Sequence, residues 1–278
     1  MSGPLPQGPY DTTWLDAIKS WCETMITAGS SPATITTRRR HLEQLSRQLR
    51  VSLNDVTRQQ LTHWSASHSW SRETRYSYHL SVRLFCCHIG RADLTKAVPT
   101  VRRATHLPRP CPDDVYHSAL REAEPRTQLV LRLAREAGLR RSEIARLNRR
   151  DFYKTFDGWV LHVRGKGDRD RSVPCSIQLA TAILAWLSLI NSEWVFPGDE
   201  GGHLSPRWIG KLGTWALPGR WTLHTLRHAF ATAAYVNSHN ILAVQQLLGH
   251  TSLAITMRYV AIDSNNLRAV ACSATPAL

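Results

Sequence analysis

The chain has 278 residues, of which 42% are hydrophobic, a length and composition that suit two domains with cores of their own. Its 35 lysines and arginines against 21 acidic residues leave a net charge of +14, which favours a polyanionic partner, above all nucleic acid. No apolar run approaches the roughly 18 residues of a membrane span, and the amino terminus lacks a secretory signal pattern. Six scattered cysteines predict a reduced cytoplasmic protein without a zinc site or disulfide framework.

The first part of the chain is predicted to be a compact, basic helical domain over residues 1–96. Apolar residues recur there at helical spacing, and residues such as Ser31, followed by Pro32, mark helix starts. The predicted helices lie at about 12–28, at about 32–49, after Thr57, and from Ser71 to about Ile89. In the fourth of them the predicted apolar face consists of Tyr76, Leu80, Leu84 and Phe85.

Arginines in this part of the chain are predicted to contact DNA. Residues 1–106 contain 14 lysines and arginines against 7 acidic residues, and residues 107–278 contain 21 against 14. Both parts of the chain therefore carry an excess of positive charge. The candidate DNA contacts are Arg38, Arg39 and Arg40 in the second helix, Arg72, Arg75 and Arg83 in the fourth, and Arg102 and Arg103 beyond it.

A proline-rich segment, 97–112, is predicted to be an extended linker to a second domain over residues 113–278, because no helix tolerates its density of prolines. The second domain is predicted to be mainly helical, with one β-hairpin around a Gly/Asp-rich turn. Its helices are predicted near 113–123, 126–137, 176–190, 205–215, 223–236 and 241–248, with further helical stretches around Tyr259 and at 263–271. The hairpin strands are predicted near 159–164 and 170–174.

Arg140, in the motif GLRRSE (138–143), is predicted to face the core side of a helix. With Leu133, Ala137, Ile144 and Leu147 it forms one stripe at helical spacing, whereas the adjacent Arg141 is rotated away from this stripe. A guanidinium in a cleft requires an anionic partner, and Glu143 is the candidate for it. Taken alone, the motif is more simply explained by a plain Arg–Glu pair on a helix.

Lys166 lies at the predicted hairpin tip, in RGKGDR (164–169), between two glycines that allow a ligand to approach the backbone closely. A lysine there is suited to protonate a leaving oxygen. A solvated basic turn is the simpler explanation when the motif is considered alone.

His224 and Arg227, in HTLRH (224–228), lie three residues apart and therefore share a helix face. Arg227 offers a planar fork for two phosphate oxygens, and His224 can hold or move a proton near neutral pH. His224 and His228 have a spacing found in some metal sites, but no acidic or cysteine ligand is nearby, so we expect no metal.

His250 follows Gly249, which is predicted to cap the helix ending in LLGH (247–250), and Tyr259 follows nine residues later. A tyrosine hydroxyl, with a pKa of about 10, is a poor nucleophile unless positive charge surrounds it. The combined residues suit attack on a phosphodiester. Arg140 and Arg227 would clamp the phosphate oxygens with His250 as a third donor, Tyr259 would attack, Lys166 would protonate the departing 5′ oxygen, and His224 would assist proton movement, without a metal or other cofactor.

These motifs, in this order, resemble the tyrosine recombinases, also called phage integrases. The matching pieces are GLRRSE, RGKGDRDRSVP, HTLRHAFAT and LLGHTSLAITMRY, and the resemblance covers about 113–262. SPATITTRRRHLEQL (31–45) is similar to the DNA-gripping amino-terminal domain of the family. The resemblance implies that Arg140, Lys166, His224, Arg227, His250 and Tyr259 form the active set, with Glu143 in support.

The resemblance further implies a mainly α fold with a small β-sheet, in which two domains form a C-shaped clamp around double-stranded DNA. It implies a homotetramer on two specific attachment sites, a 3′-phosphotyrosine, a Holliday-junction intermediate, and docking of 263–278 on a neighbouring subunit. Because the first helix begins near residue 12, we expect no additional arm-binding domain.

The expected function is site-specific recombination that integrates and excises a phage genome or another mobile element, in the cytoplasm and associated with the nucleoid. An accessory DNA-bending or directionality factor is an additional expected partner. The alternatives are a Xer-type recombinase that resolves chromosome dimers, a non-catalytic DNA-binding regulator on the same scaffold, a type IB topoisomerase, and a structural nucleoid protein.

Overall fold

The computed structural model of the chain has two compact units, Met1–Thr105 and His106–Leu278. The division falls inside the segment 97–112 that the sequence predicts to be a linker. The residues that the structure describes are 12–103, 108–165, 170–250, 252, 253, 256 and 257. Several predictions concern residues outside this set, namely Lys166, Tyr259, the tail 263–278 and residues 1–11.

The first unit consists of helices whose starts agree with the sequence prediction. Ser31 caps the second helix, since the N–H of Thr34 donates to its Oγ at 3.4 Å, and Pro32 is the first helical residue. The helices are α1 (Thr12–Thr27), α2 (Pro32–Leu49), α3 (Arg58–Ala66) and α4 (Arg72–His88), with 3₁₀ segments at Leu53–Asp55 and Ala92–Ala97. Their common core includes Trp14, Ile18, Trp21, Leu42, Leu45, Leu61, Trp64, Val82 and Phe85.

Of the predicted apolar face of α4, Phe85 is fully buried, Tyr76 and Leu80 are half-buried, and the prediction is wrong for Leu84. Leu84 is exposed, whereas His79 is buried with Val82 on the side that packs against the core. The burial of His79 is possible because its Nε2 lies 2.7 Å from Ser65 Oγ and its Nδ1 lies 2.8 Å from the carbonyl oxygen of Pro99. A pattern of apolar residues does not foresee a buried, fully hydrogen-bonded histidine.

The second unit is mainly helical with a small antiparallel sheet, which confirms the predicted fold class. Its helices are α5 (Asp113–Glu122), α6 (Pro125–Glu136), α7 (Arg141–Ala145), α8 (Ile177–Leu189), α9 (Pro206–Ala216), α10 (Leu223–Ser238) and α11 (Ile241–Leu248). The sheet has the order β1 (Phe152–Thr155), β2 (Gly158–Val163), β3 (Arg171–Pro174). The sequence prediction missed β1, a four-residue strand that is mostly exposed and so has little apolar alternation.

The sheet and α6 position the residues of the candidate site. In α6, side chains such as Leu129, Leu131 and Leu133 are buried at the centre of the core, which α10 and α8 also contact. Val163 pairs with Arg171 across β2 and β3, so Arg171 stands at the stem of the hairpin whose sequence contains Lys166.

Candidate active site

Arg140 does not lie within a continuous helix, contrary to the sequence prediction. α6 ends at Glu136, Gly138 adopts a φ of +64°, and Arg140 has the extended backbone of an N-cap residue before α7. Glycine is required at 138 because its φ is left-handed and a Cβ there would collide with the ring of Phe230. The apolar members of the predicted stripe are nevertheless buried, Leu133 and Ile144 within α6 and α7 and Ala137 and Leu147 just after these helices end.

Glu143 is the anionic partner that the sequence predicted for Arg140. Arg140 donates to it through Nη1 at 2.7 Å and through its backbone N–H at 2.8 Å. Arg171 donates to both carboxylate oxygens, at 3.1 and 2.9 Å, and Arg227 Nη1 lies 3.6 Å from Oε2. One buried carboxylate thus holds three guanidinium groups.

The pKa of Glu143 reflects these contacts. Burial by itself would raise it, but the hydrogen bonds and charge of Arg171, together with the backbone N–H and charge of Arg140, outweigh burial and lower the pKa from 4.5 to about 2. Glu143 is therefore ionised throughout the neutral range.

The carboxy-terminal end of α11 is a second anchor for the same three arginines. Gly249 caps this helix with a φ of +60°, as predicted, and the last carbonyl groups of a helix carry partial negative charge. Three consecutive carbonyl oxygens each accept from a different arginine: Leu247 from Arg171 Nε at 2.7 Å, Leu248 from Arg227 Nη2 at 2.6 Å, and Gly249 from Arg140 Nη2 at 3.2 Å. The arginines are thereby fixed directly beside His250.

The arginines differ in their access to solvent. The side chain of Arg140 is 39% exposed, whereas those of Arg171 and Arg227 are 6% and 3% exposed. Arg227 also donates through Nη1 to the carbonyl oxygen of Gly138, which ties α10 to the turn before Arg140. Arg140 is therefore the guanidinium of this cluster that is most accessible to an incoming anion.

The two predicted histidines are near this cluster and have lowered pKa values. Removal from water, followed by the charges of Arg227, Arg140 and Arg171, lowers the pKa of His250 to about 3. Removal from water and the charges of Arg227 and Arg140 also lower the pKa of His224, whose ring packs edge-on against that of His228 with centroids 4.2 Å apart. Both imidazoles are therefore neutral near pH 7.

Sequence reasoning missed two residues of this arrangement, Arg171 and Thr256. The sequence places Arg171 in RGKGDRDRSVP, where several arginines make the turn around Lys166 basic and nothing singles Arg171 out. The alternation of β3 carries the signal for it, because Arg171 faces the same buried side as Val173 two residues later. Thr256 is fully buried and its Oγ1 lies 2.9 Å from Nδ1 of His250, a contact that no pattern in the sequence indicates.

Lys166 and Tyr259 lie outside the described residues, so their catalytic assignment stays a prediction. The described stems of the Lys166 hairpin are both anchored by ion pairs. In the stem before the turn, Arg164 Nη2 donates to the buried Asp151 at 2.9 Å. In the stem after the turn, Arg171 pairs with Glu143.

Several of the arginines predicted to contact DNA are exposed in the first unit. Arg40 and Arg72 are exposed on α2 and α4, as is Arg102 beyond α4. Arg39 pairs with Glu43 at 3.1 Å. Arg103 is also exposed, pairs with Glu73, and lies over the ring of Tyr76 at 5.0 Å. Their contact with DNA stays a prediction.

The other three candidates have contacts within the fold. Arg75 donates through Nη1 to the carbonyl oxygen of Ser65 at 2.7 Å and through Nη2 to that of His68 at 2.8 Å, which satisfies the end of α3. Arg83 donates to the carbonyl oxygens of Thr95 and Val98, and Arg38 is half-buried with Nη1 3.7 Å from the sulfur of Met25. These contacts stabilise the unit whether or not the same side chains contact DNA.

Among the described residues there is no group of three or more histidine, cysteine, aspartate or glutamate side chains arranged to hold a metal ion. No helix in the described ranges combines the length and apolar character that crossing a bilayer requires.

Comparison with known proteins identifies the family. Residues 113–266 match the model described as phage integrase family. The tyrosine recombinase XerC of Bradyrhizobium diazoefficiens is 36% identical over 211 residues, which span 67% of this chain and 65% of that protein. The tyrosine recombinase XerC of Chromobacterium violaceum is 30% identical over 288 residues, which span 94% of this chain and 95% of that protein.

Solved structures share the fold. The XerH site-specific recombinase bound to its difH substrate in a pre-cleavage complex superposes with a TM-score of 0.67 at 20% identity, covering 91% of this chain and 83% of XerH. A lambda integrase dimer bound to a COC′ core site gives a TM-score of 0.65 at 16% identity, covering 88% of this chain and 76% of that chain. The family model and the XerC relatives define an enzyme class, the site-specific recombinases that cleave and rejoin DNA through a tyrosine. The chain belongs to the phage integrase family of tyrosine recombinases.

Proposed function

We propose that Tyr259 cleaves one strand of a specific DNA site and is joined to the 3′ phosphate, with Arg140, Arg227 and His250 around the reacting phosphate. The Tyr259 oxygen forms a bond to phosphorus and loses its proton, while the bond from phosphorus to the 5′ oxygen breaks. Lys166 gives a proton to that departing oxygen, and His224 assists proton movement by taking up the proton that the Tyr259 hydroxyl loses. Rejoining is the reverse reaction, with a 5′ hydroxyl as the nucleophile.

The observation that carries this proposal is the cluster of three guanidinium groups around the single carboxylate of Glu143. Three cations against one anion leave this part of the site positive, and neighbouring carbonyl groups already hold the guanidinium groups in place. A phosphodiester develops additional negative charge on its oxygens during substitution, and preorganised donors stabilise that charge most effectively. The accessible Arg140 is the cluster's first contact for the phosphate.

The state of His250 supports its role as a hydrogen-bond donor. With a pKa lowered to about 3, it is neutral at working pH and adds no further cation to the site. Its Nδ1 lies next to the hydroxyl of Thr256, which orients the ring. In the tautomer in which Nδ1 accepts from Thr256, the proton of the neutral ring is on Nε2, the nitrogen proposed to donate to a phosphate oxygen.

The assignments of Tyr259 and Lys166 rest on sequence position. Both lie within the residues that match the family model, and Tyr259 follows His250 by nine residues. The ion pairs of Arg164 and Arg171 anchor the two described stems of the hairpin whose sequence contains Lys166.

Double-stranded DNA at specific attachment sites is the proposed partner, bound by a homotetramer on two sites, with Arg39, Arg40, Arg72, Arg102 and Arg103 among the phosphate contacts. Similar folds have been solved as complexes with DNA, including XerH with difH and a Tn1549 transposon integrase with transposon right-end DNA. An accessory DNA-bending or directionality factor is a further proposed partner.

Integration and excision of a phage or mobile element in a bacterial cytoplasm is the proposed biological role. Resolution of chromosome dimers is a second candidate, favoured by the likeness to XerC of Chromobacterium violaceum over 94% of this chain. Cleavage assays on DNA flanking the gene for this chain and on a chromosomal dimer-resolution site distinguish the two roles.

The proposed chemistry is tested with nicked suicide duplexes, from which the cleaved strand end diffuses away. We expect the wild-type protein to give a denaturant-resistant adduct that Tyr259→Phe does not form, although this variant still binds the duplex. Tyr153→Phe, which removes an exposed hydroxyl of β1, is the matched control and retains the adduct. An adduct that persists in Tyr259→Phe, or tight binding to every site without an adduct, contradicts the proposal.

A further inference from the structure

We infer that Arg171 is a positioning residue for strand cleavage, which holds Glu143 and the end of α11 so that Arg140 is correctly oriented before DNA binds. This inference rests on the proposed function, since it assigns to Arg171 a role in the same reaction. Arg171 differs from Arg140, the accessible guanidinium of the cluster, because its own guanidinium is buried and bound within the protein. Arg227 is buried as deeply, and its assignment to the phosphate rests on its place in the motif HTLRH.

All three nitrogens of the Arg171 side chain have partners. Nε donates to the carbonyl oxygen of Leu247 at 2.7 Å, and Nη1 and Nη2 donate to the two oxygens of Glu143 at 3.1 and 2.9 Å. The side chain is 6% exposed, against 39% for Arg140. These contacts support an indirect action of Arg171 on the substrate, through the groups that it holds.

The fork geometry fixes the orientation of the Glu143 carboxylate. Oε1 accepts from both Arg171 and the side chain of Arg140, and Oε2 accepts from both Arg171 and the backbone N–H of Arg140. A bidentate guanidinium resists rotation of the carboxylate plane, which a lysine ammonium cannot do. Rotation of that plane displaces the guanidinium of Arg140.

Arg171 also joins three elements that meet at the site. It lies on β3 at the hairpin stem, contacts Glu143 on α7, and holds the last turn of α11, directly before His250. Gly249 leaves room for it, since a Cβ there would lie 3.0 Å from Arg171 Nη1. A change at Arg171 therefore reaches Arg140 and the His250 turn together.

The test compares two substrates that differ at one non-bridging position of the scissile phosphate, and thereby in its charge. One suicide duplex has an ordinary scissile phosphate, and in the other a methyl group replaces one non-bridging oxygen, which makes that position uncharged. If Arg171 orients the arginine clamp, its loss matters most where a full negative charge must be stabilised. A purely structural role lowers cleavage of both substrates by the same factor.

For Arg171→Lys we expect single-turnover cleavage of the phosphate duplex at saturating protein to slow by about 100-fold, the scale that a misplaced reacting group costs. The dissociation constant for DNA stays unchanged. On the uncharged duplex, the factor by which the rate falls is smaller than on the phosphate duplex by about tenfold or more. Arg149→Lys is the matched control, because Arg149 also donates to backbone carbonyl groups, those of Leu187, Ile190 and Ser192, but lies apart from Glu143. It is expected to cleave both duplexes at the wild-type rate.

Gly249→Ala is the second variant, because it displaces the Arg171 fork while leaving the arginine in the chain. If Arg171→Lys does not fold, the same substrate-dependent loss in Gly249→Ala supports the inference. Equal losses on both duplexes, or unimpaired cleavage by the folded variants, overturn it. These outcomes differ from failure of the proposed function, in which the wild-type protein forms no adduct or Tyr259→Phe still forms one.

Discussion

Replacement of Glu143 by glutamine is expected to destabilise the second unit strongly. The substitution keeps the shape of the side chain but removes the charge that Arg140, Arg171 and Arg227 share. A glutamine oxygen cannot accept all of their hydrogen bonds, and its NH₂ group would face a guanidinium group. Three clustered cations would then lack a counterion.

The pKa of Glu143 sets the size of this effect. A pKa of 4.5 in the unfolded chain that falls to about 2 in the folded protein corresponds to about 3 kcal/mol of stability at neutral pH. Removal of one partner of a buried ion pair costs a similar amount, about 3–5 kcal/mol. Because the folded-state pKa is lowered, this stability is fully present above pH 4.5 and is lost as the pH falls towards 2.

The assay is urea unfolding of the full-length protein at several pH values, in which the unfolding of the second unit is followed by hydrogen exchange of amides in α7 and α11. We expect Glu143→Gln to lose about 3 kcal/mol at pH 7 and progressively less below pH 4.5. Glu124→Gln, at an exposed pair with Arg126, is the control and is expected to lose less than about 1 kcal/mol at every pH. A loss below about 1 kcal/mol for Glu143→Gln at pH 7, or one that does not shrink in acid, would refute the reasoning.

Three further outcomes follow from one glycine and two arginine positions. Gly249→Ala is expected to lower the stability of the protein by more than the roughly 1–2 kcal/mol that a left-handed alanine costs, because its Cβ presses on Arg171, whereas Gly29→Ala, with nothing near its Cβ, costs only that amount in urea unfolding. Arg40→Ala is expected to reduce the slope of log affinity for DNA against log salt by about 0.9 without changing stability, and Arg75→Ala to lower stability by about 1–3 kcal/mol. An unchanged salt slope for Arg40→Ala, or full stability for Arg75→Ala, would show that these assignments are wrong.

Much of this protein can be predicted from local sequence. Ser31 and Pro32 mark the start of α2, and Gly249 marks the end of α11, because caps depend on backbone geometry within a few residues. The pairing of Arg140 with Glu143 likewise spans three residues. The break at Gly138 was missed, since the apolar spacing continues across it and only the ring of Phe230 shows why glycine is needed there.

What only the tertiary structure decided is the set of partners that each arginine has. Arg171 lies 28 residues from Glu143 and 76 from Leu247 along the chain, and its own motif suggested nothing more than a basic turn. Arg75, predicted only as a DNA contact, satisfies carbonyl groups at the end of α3. The physical reason is that periodicity and capping depend on near neighbours, whereas the partner of a buried charge is chosen by which distant elements the packed core brings within about 3 Å of it.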